Sequence, residues 1–313
     1  DTLRFGPGIT VDDIWVQWNG TDLQIGLVDG TTDFSGLGDL ITLGAQNTPY
    51  RTIESYEFAD GTTLSSDELQ ALAGLDARAS TLAFGTESAD TLTGAGARDA
   101  IYGRAGDDVM SGDAGADWML GEEGADLLSG GSGDDTLAGG ADTGVTDTIS
   151  GGSGNDIIAG GRMESGYTND AGDVLYGGDG DDTIFGGNAE LTSGYLFDRE
   201  QGEGADTLIG GTGADALVGG GGNDVYIYNP GDGRDTIYDY RAYNTTSPQE
   251  GGTDTLSFGP GISSDDIWVQ WNGTDLQIGI MDGLTEFTDL TDSITLYGQN
   301  TAPDHFKSCA DWP

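Results

Sequence analysis

The sequence predicts an all-β protein, a right-handed parallel β-roll flanked by two homologous, mostly antiparallel β modules. Three observations carry this: a nine-residue period through the middle, a long duplication of the two ends, and a composition too poor for an ordinary core. Leu, Ile, Val and Phe make up about a fifth of the 313 residues, while 55 Asp and Glu face only 10 Lys and Arg, for a formal net charge of -45. That combination borders on disorder. The 57 Gly, however, recur with a strict period, so a periodic acidic structure is expected to fold with the help of cations.

The same composition excludes several classes of function. A nucleic-acid partner is incompatible with this charge. One cysteine, Cys309, rules out an internal disulfide framework, and one histidine, His305, leaves no imidazole cluster for zinc or iron. Any metal must therefore be a hard ion held by oxygen. No run of about 18 apolar residues marks a membrane span, and Asp1-Thr2-Leu3-Arg4 does not open a signal peptide.

The duplication pairs DTLRFGPGITVDDIWVQWNGTDLQIG from Asp1 with DTLSFGPGISSDDIWVQWNGTDLQIG from Asp254, and 34 of 47 ungapped positions are identical. In each copy an Asn-Gly pair, Asn19-Gly20 or Asn272-Gly273, separates IWVQW from DLQIG, a strong hairpin signal. Ser66-Asp67-Glu68 ahead of LQALAGL predicts a short capped helix at about 66–74. The expected domains are residues 1–76, 77–227 and 228–313. VYIYNPGDGRDTIYDY leads into the second copy while nothing precedes the first, so the sequence is expected to be an excerpt of a larger repetitive protein. The tail TAPDHFKSCADWP has no counterpart in the first copy.

Between residues 85 and 227 an aspartate recurs in a fixed frame: Asp90, Asp99, Asp108, Asp117, Asp126, Asp135, Asp147, Asp156, Asp173, Asp182, Asp206, Asp215 and Asp224. Two residues after each stands an apolar residue: Leu92, Ile101, Met110, Met119, Leu128, Leu137, Ile149, Ile158, Leu175, Ile184, Leu208, Leu217 and Tyr226. The units are of the type GGSGDDTLA, G-G-x-G-x-D-x-U-x with U apolar. Nine residues suffice for one turn and one short strand, so two units close a coil and units n and n+2 stack. One buried apolar residue per nine ordered ones is a meagre core. Stacking also places carboxylates about 4.8 Å apart, where like charges repel by about 3 kcal/mol per pair at an effective dielectric of about 20. A divalent ion between turns reverses that sign, and glycine-turn carbonyls supply the further oxygens calcium needs.

The middle resembles the RTX, or haemolysin-type calcium-binding, β-roll, and the ends resemble the haemolysin-type calcium-binding-related domain. The resemblance implies calcium ions between loops n and n+2, at most about eleven, ligated by the paired aspartates from Asp90 with Asp108 through Asp206 with Asp224. It further implies backbone carbonyl ligands from Gly103 and Ala105; Gly112, Ala114 and Gly115; Gly121 and Glu123; Gly130, Gly131, Ser132 and Gly133. Continuing along the chain, they are Gly151, Gly152, Ser153 and Gly154; Gly177, Gly178, Asp179 and Gly180; Gly210, Gly211, Thr212 and Gly213. Gly94-Ala95-Gly96-Ala97 departs from the family's glycine order, and Arg104, Asp113 and Glu122 replace the second glycine. Weaker binding is expected in these N-terminal coils.

Three loops exceed nine residues, before Thr148, Val174 and Thr207, by about 3, 8 and 15 residues. They fall in alternate units and so should share one edge of the roll. That edge could form a ligand ridge bearing Met163, Tyr167, Tyr195, Phe197 and Arg199, or the loops could simply fold over the roll to cover it. Trp15, Trp18, Trp268 and Trp271 are expected to pack their modules, and Trp118 to point outward. The acidic pairs Asp12-Asp13 and Asp265-Asp266 and the His305/Cys309 spacing gather no catalytic constellation, so no enzyme is expected.

Together these readings predict a calcium-binding segment that folds on calcium, part of a large secreted or cell-surface bacterial RTX protein, adhesin-like or structural, exported by the type I route. The alternatives are a carboxyl-terminal accessory region of a secreted hydrolase, epimerase or toxin, or a carbohydrate-binding module using the inserted edge. Besides calcium, the expected partners are an extracellular glycan or protein, or neighbouring copies in an array.

Overall fold

The computed structural model describes residues 2–10, 13–19, 22–27, 39–44, 53, 55–59, 61–65, 69, 81–140, 144–163, 171–189, 204–238, 252–281, 287, 290–297 and 306–310. The chain divides into two compact units, Asp1–Leu82 and Ala83–Pro313.

Successive strands of the middle alternate between two parallel sheets. One runs through Thr91–Thr93, Val109–Ala114, Leu127–Ser132, Thr148–Ser153, Val174–Asp179, Thr207–Thr212 and Val225–Tyr228. The other runs through Asp99–Ala105, Trp118–Glu123, Thr136–Gly140, Ile157–Ala159, Thr183–Phe185 and Ala216–Val218. Register holds from coil to coil, Met110 opposite Leu128 and Leu128 opposite Ile149, so units n and n+2 stack as their spacing predicts. The eighth position of each unit from Ile101 to Tyr226 is buried, and these side chains form one core cluster between the sheets.

The sheets do not stop at 227, where the period of nine lapses. Asp254–Phe258 continues the first sheet and Arg234–Ile237 followed by Ser293–Leu296 continues the second, all in parallel register. Ile237, Leu256, Ile294 and Leu296 extend the same core. The second module thus closes the end of the roll, and its hairpin Ile267–Asn272 with Asp275–Ile280 pairs antiparallel as the Asn-Gly signal predicts.

The first module repeats this plan in its own unit: a sheet of Ile14–Asn19, Asp22–Leu27 and Leu40–Leu43, and a second of Thr2–Arg4, Ser55–Glu57 and Thr63–Ser65. Val16, Leu23 and Ile25 of the former and Tyr56 and Leu64 of the latter are among its buried residues, as is Phe58, which stacks on Phe5. Val16 is 2% exposed, whereas its duplicate Val269 is 51% exposed. Among its described residues the second module has no strand in the place of Thr63–Ser65. The predicted helix at 66–74 lies outside the described residues except for Leu69, which is buried.

Backbone conformation explains the second glycine of each unit. Gly131, Gly152, Gly178 and Gly211 all have φ between 102° and 123°, and a Cβ on any of them would strike a carbonyl of the preceding coil. Arg104, Asp113 and Glu122 occupy the same position at φ 79°, 72° and 77°. Holding a side-chain-bearing residue there costs about 1–2 kcal/mol. Asp113→Gly should therefore raise unfolding stability by about 0.5–1 kcal/mol after glycine's greater unfolded-state entropy is deducted. Gly152→Ala should lower it by more than that, both read as shifts in the urea midpoint at saturating calcium.

Candidate metal centre

The recurring aspartate ends each turn, where its side chain folds beneath the backbone of the neighbouring coil. The N–H of Asp90 donates to Oδ1 of Asp108 at 2.7 Å, Asp108 to Asp126 at 2.8 Å, and the series continues through Asp147, Asp173, Asp206 and Asp224. A second series links Asp99, Asp117, Asp135, Asp156, Asp182 and Asp215 at 2.7–2.8 Å. All eleven aspartate pairs read from the sequence are neighbours in these two ladders.

Each ladder runs one step further than the nonapeptide frame. Asp215 N–H donates to Asp235 at 3.2 Å and Asp224 N–H to Asp254 at 2.9 Å. The triplets Asp235-Thr236-Ile237 and Asp254-Thr255-Leu256 keep the Asp-x-apolar end of the unit and its fourth-position glycine, Gly233 or Gly252, with Pro230 and Gln249 in place of the first glycine, and a signature relaxed at position one would have found them.

While Oδ1 is engaged, Oδ2 of Asp108, Asp117, Asp135, Asp156, Asp182 and Asp215 is buried and accepts no hydrogen bond. Each lies against the first glycine of its own loop: a Cβ on Gly103, Gly112 or Gly130 would collide with Oδ2 of Asp108, Asp117 or Asp135. The same Cβ would sit 2.6–2.7 Å from the carbonyl oxygen of Gly121, Gly130 or Gly151, one coil on. Position one is thus a notch walled by a carboxylate oxygen and a carbonyl oxygen. Gly139, Gly160, Gly186 and Gly219 also face such notches with their carbonyls, next to Asp126, Asp147, Asp173 and Asp206. These four were not among the expected ligands: Gly139, Gly160 and Gly186 open the inserted loops, and Gly219 opens the last nonapeptide unit.

The third-position carbonyls of Glu123, Ser132, Ser153, Asp179 and Thr212 accept backbone N–H bonds from the preceding coil at 2.7–2.8 Å. A further ladder, unforeseen, runs outside the first: Asn155 N–H to Asp134, Asp181 N–H to Asn155 and Ala214 N–H to Asp181, at 2.8–2.9 Å. Among the described residues no three acidic, His or Cys side chains converge on a point. A donor set of paired carboxylates and carbonyls fits a hard oxygen-seeking cation and offers nothing to a thiolate- or imidazole-seeking one.

The remaining candidates separate. Met163 packs against an apolar stripe of Ala138, Ala159, Phe185, Ala189 and Val218 on the outward side of the strands, so its part of the ridge covers the roll. Gly161 and Arg162 bond to Gly187 and Asn188, stacking the stems of two insertions on one edge. Tyr167, Tyr195, Phe197 and Arg199 lie outside the described residues, as does His305. Trp268 and Trp271, three residues apart, take opposite strand faces rather than packing together. Trp268 meets Phe287 edge-on while Trp271 is 57% exposed. Trp118 is half-buried, with its indole N–H buried. Asp13 and Asp266 cap local turns by accepting from Thr10 and Ser263, which holds both carboxyls below their usual range.

Electrostatics sharpen the metal reading. Burial pushes the Asp117 and Asp215 carboxyls up to about 6, those of Asp135 and Asp182 to about 7, and raises Asp108 and Asp156. Without cations the folded roll therefore binds more protons than the unfolded chain, whose carboxyls ionise near 3.8. That contribution is complete below about pH 4 and is lost as pH rises through about 6–7. In chelator, acidification from pH 8 to 5 should increase the far-UV β signal. A flat or falling signal would show that the ladder carboxyls do not limit metal-free folding.

A family model described as RTX calcium-binding nonapeptide repeat (4 copies) matches residues 84–119, 111–145, 146–162, 167–189 and 201–237. No curated protein matches the chain. Among solved structures, the extracellular lipase LipA from Serratia marcescens is similar at 18% identity and a TM-score of 0.29 over 83% of this chain. The match covers 45% of that lipase chain, less than half its length. Residues 84–237 thus carry RTX calcium-binding nonapeptide repeats.

Proposed function

We propose that this chain is a non-catalytic, calcium-folded segment of a secreted or cell-surface protein, adhesin-like or structural, in which calcium binding is the final step of folding. The observation that carries this is the row of buried Oδ2 atoms without hydrogen-bond partners, at Asp117, Asp135, Asp156, Asp182 and Asp215 on one edge and at Asp108 on the other. A buried carboxylate with one unmet oxygen is costly, and a row of them calls for a positive charge. On this reading the ions are held by successive ladder aspartates with carbonyl oxygens of the glycine turns, including those of Gly121, Gly130, Gly151 and Gly210. Calcium supplies the charge that lets the carboxylates stay ionised while buried. Where calcium is scarce the middle stays expanded and fit for export; at extracellular concentrations it assembles and stiffens.

Far-UV circular dichroism from chelator to 10 mM calcium, with magnesium in parallel, tests this. A cooperative rise in β signal is expected for calcium alone. Asp135→Ala combined with Asp156→Ala should move the midpoint to about tenfold higher calcium or beyond, equivalent to about 1.4 kcal/mol. A spectrum already folded in chelator and indifferent to calcium would sink the reading. A sharper control uses glycine: Gly130→Ala places a methyl group in the notch beside Asp135 Oδ2 and Gly151 O, while a Cβ on Gly96 meets nothing within 4 Å. The first should weaken the calcium response about as much as losing Asp135, and Gly96→Ala should leave it within about twofold.

A further inference from the structure

The two copies of the duplicated module share the residues with which the second copy meets the roll. In the second copy the last coil, Val225–Tyr228 and Arg234–Ile237, lies alongside Asp254–Phe258 and Ser293–Leu296, parallel in both sheets. Tyr226 stands opposite Leu256, Ile237 opposite Leu296, and the ring of Tyr228 meets Phe258 edge-on. Ser293 N–H donates to Gly233 O at 2.8 Å, and Asp292 accepts the Gly231 N–H at 2.9 Å. Leu256, Phe258, Ile294 and Leu296 are buried as a result.

The duplicates of these residues in the first copy are Leu3, Phe5, Asp39, Ile41 and Leu43, identical at every position. Their strands, Thr2–Arg4 and Leu40–Leu43, are the outer strands of their sheets and pair on one side only among the described residues. Ile41 is 38% exposed where Ile294 is 0%, Leu40 is 48% exposed, and Leu3, Phe5 and Leu43 are half-buried. Two open edges with apolar side chains are a liability that a folded domain ordinarily covers.

We propose that Asp1–Leu82 is a receptor for the terminal coil of another β-roll. A coil of the Val225–Ile237 type would add one strand to Thr2–Arg4 and one to Leu40–Leu43, in the register that the second copy displays. The occupant is specified by chemistry already seated on the duplicate surface: two parallel strands with inward aliphatic and tyrosine side chains, joined by a turn whose N–H reaches Asp39. The recognition is largely main-chain addition to sheet edges. It rests on reading the chain as one stretch of an array, and it makes each module the joint that seals the preceding roll.

The test is a longer chain in which residues 83–253 are repeated ahead of Asp1, so that the junction reproduces the one before Asp254. Amide hydrogen exchange is followed in calcium for both the original and the extended chain. Exchange at Thr2–Arg4 and Leu40–Leu43 should slow by at least about tenfold in the extended chain. Ile41→Asp should abolish that protection there while leaving the original chain's melting unchanged. Unaltered exchange at these strands in the extended chain, or protection that survives Ile41→Asp, would overturn the proposal. The calcium-induced β signal is read separately, so a roll that folds on calcium without protecting the edges refutes the docking alone. Edge protection in a roll indifferent to calcium would refute the calcium reading and leave the docking standing.

Discussion

The fold depends on one hydrogen bond made again and again: the aspartate N–H of one coil donating to the carboxylate of the aspartate above it. This bond sets the stacking register, because it ties each turn to the same atom of the next at 2.7–3.0 Å in every step from Asp90 to Asp224. It also buries the carboxylates, from Asp99 onward to 2% exposure or less. A single backbone donor satisfies one oxygen of a charged group that asks for several partners. Every step that orders the roll therefore also raises its electrostatic cost, as the upward-shifted carboxyls along the Asp117–Asp215 edge record. A cation placed at the second oxygen removes the cost without breaking the bond while leaving the carboxylate ionised.

Glycine follows from the same closeness. At position one it is required for space, since the site of its missing side chain is filled by the carboxylate and carbonyl oxygens that would face an ion. At position two it is required for a left-handed backbone. These demands are separable, and Arg104, Asp113 and Glu122 separate them: they accept the backbone strain of position two while Gly103, Gly112 and Gly121 keep the notch open. The N-terminal coils thus keep the oxygen geometry and give up backbone ease, so any weakness there is one of folding more than of ligand chemistry.

Much of this was legible because the sequence period is the structural period. Thirteen aspartates, their pairing and the inward apolar row could be read from spacing alone, since every unit is forced into one geometry by its neighbours. Asp235 and Asp254 were missed where the frame loses its first glycine, replaced by Pro230 and Gln249, although Gly233 and Gly252 still hold the fourth position at φ 105° and 68°. The outer ladder of Asp134, Asn155 and Asp181 escaped for a different reason. Its position tolerates either residue, because Asp and Asn both accept a backbone N–H through Oδ1. Trp271 was expected to pack its module, yet three residues from Trp268 it takes the other face of the strand and stands 57% exposed.

The inserted loops show how firmly the ladder governs. Sequence separation between stacked aspartates grows from 18 to 21, 26 and 33 residues as the insertions enter. The bonds that span them are nevertheless 2.7–2.8 Å, the same as where nothing is inserted. Chain length between coils is therefore free, and only the return to the aspartate frame is constrained. Because Gly161 and Arg162 of one inserted stem bond to Gly187 and Asn188 of the next, the insertions leave the roll from one edge in stacked order. The edge running from Asp99 to Asp215 keeps unbroken nine-residue units. A roll built this way can vary along one edge while the other holds the coils in register, so variation need not cost the ion sites.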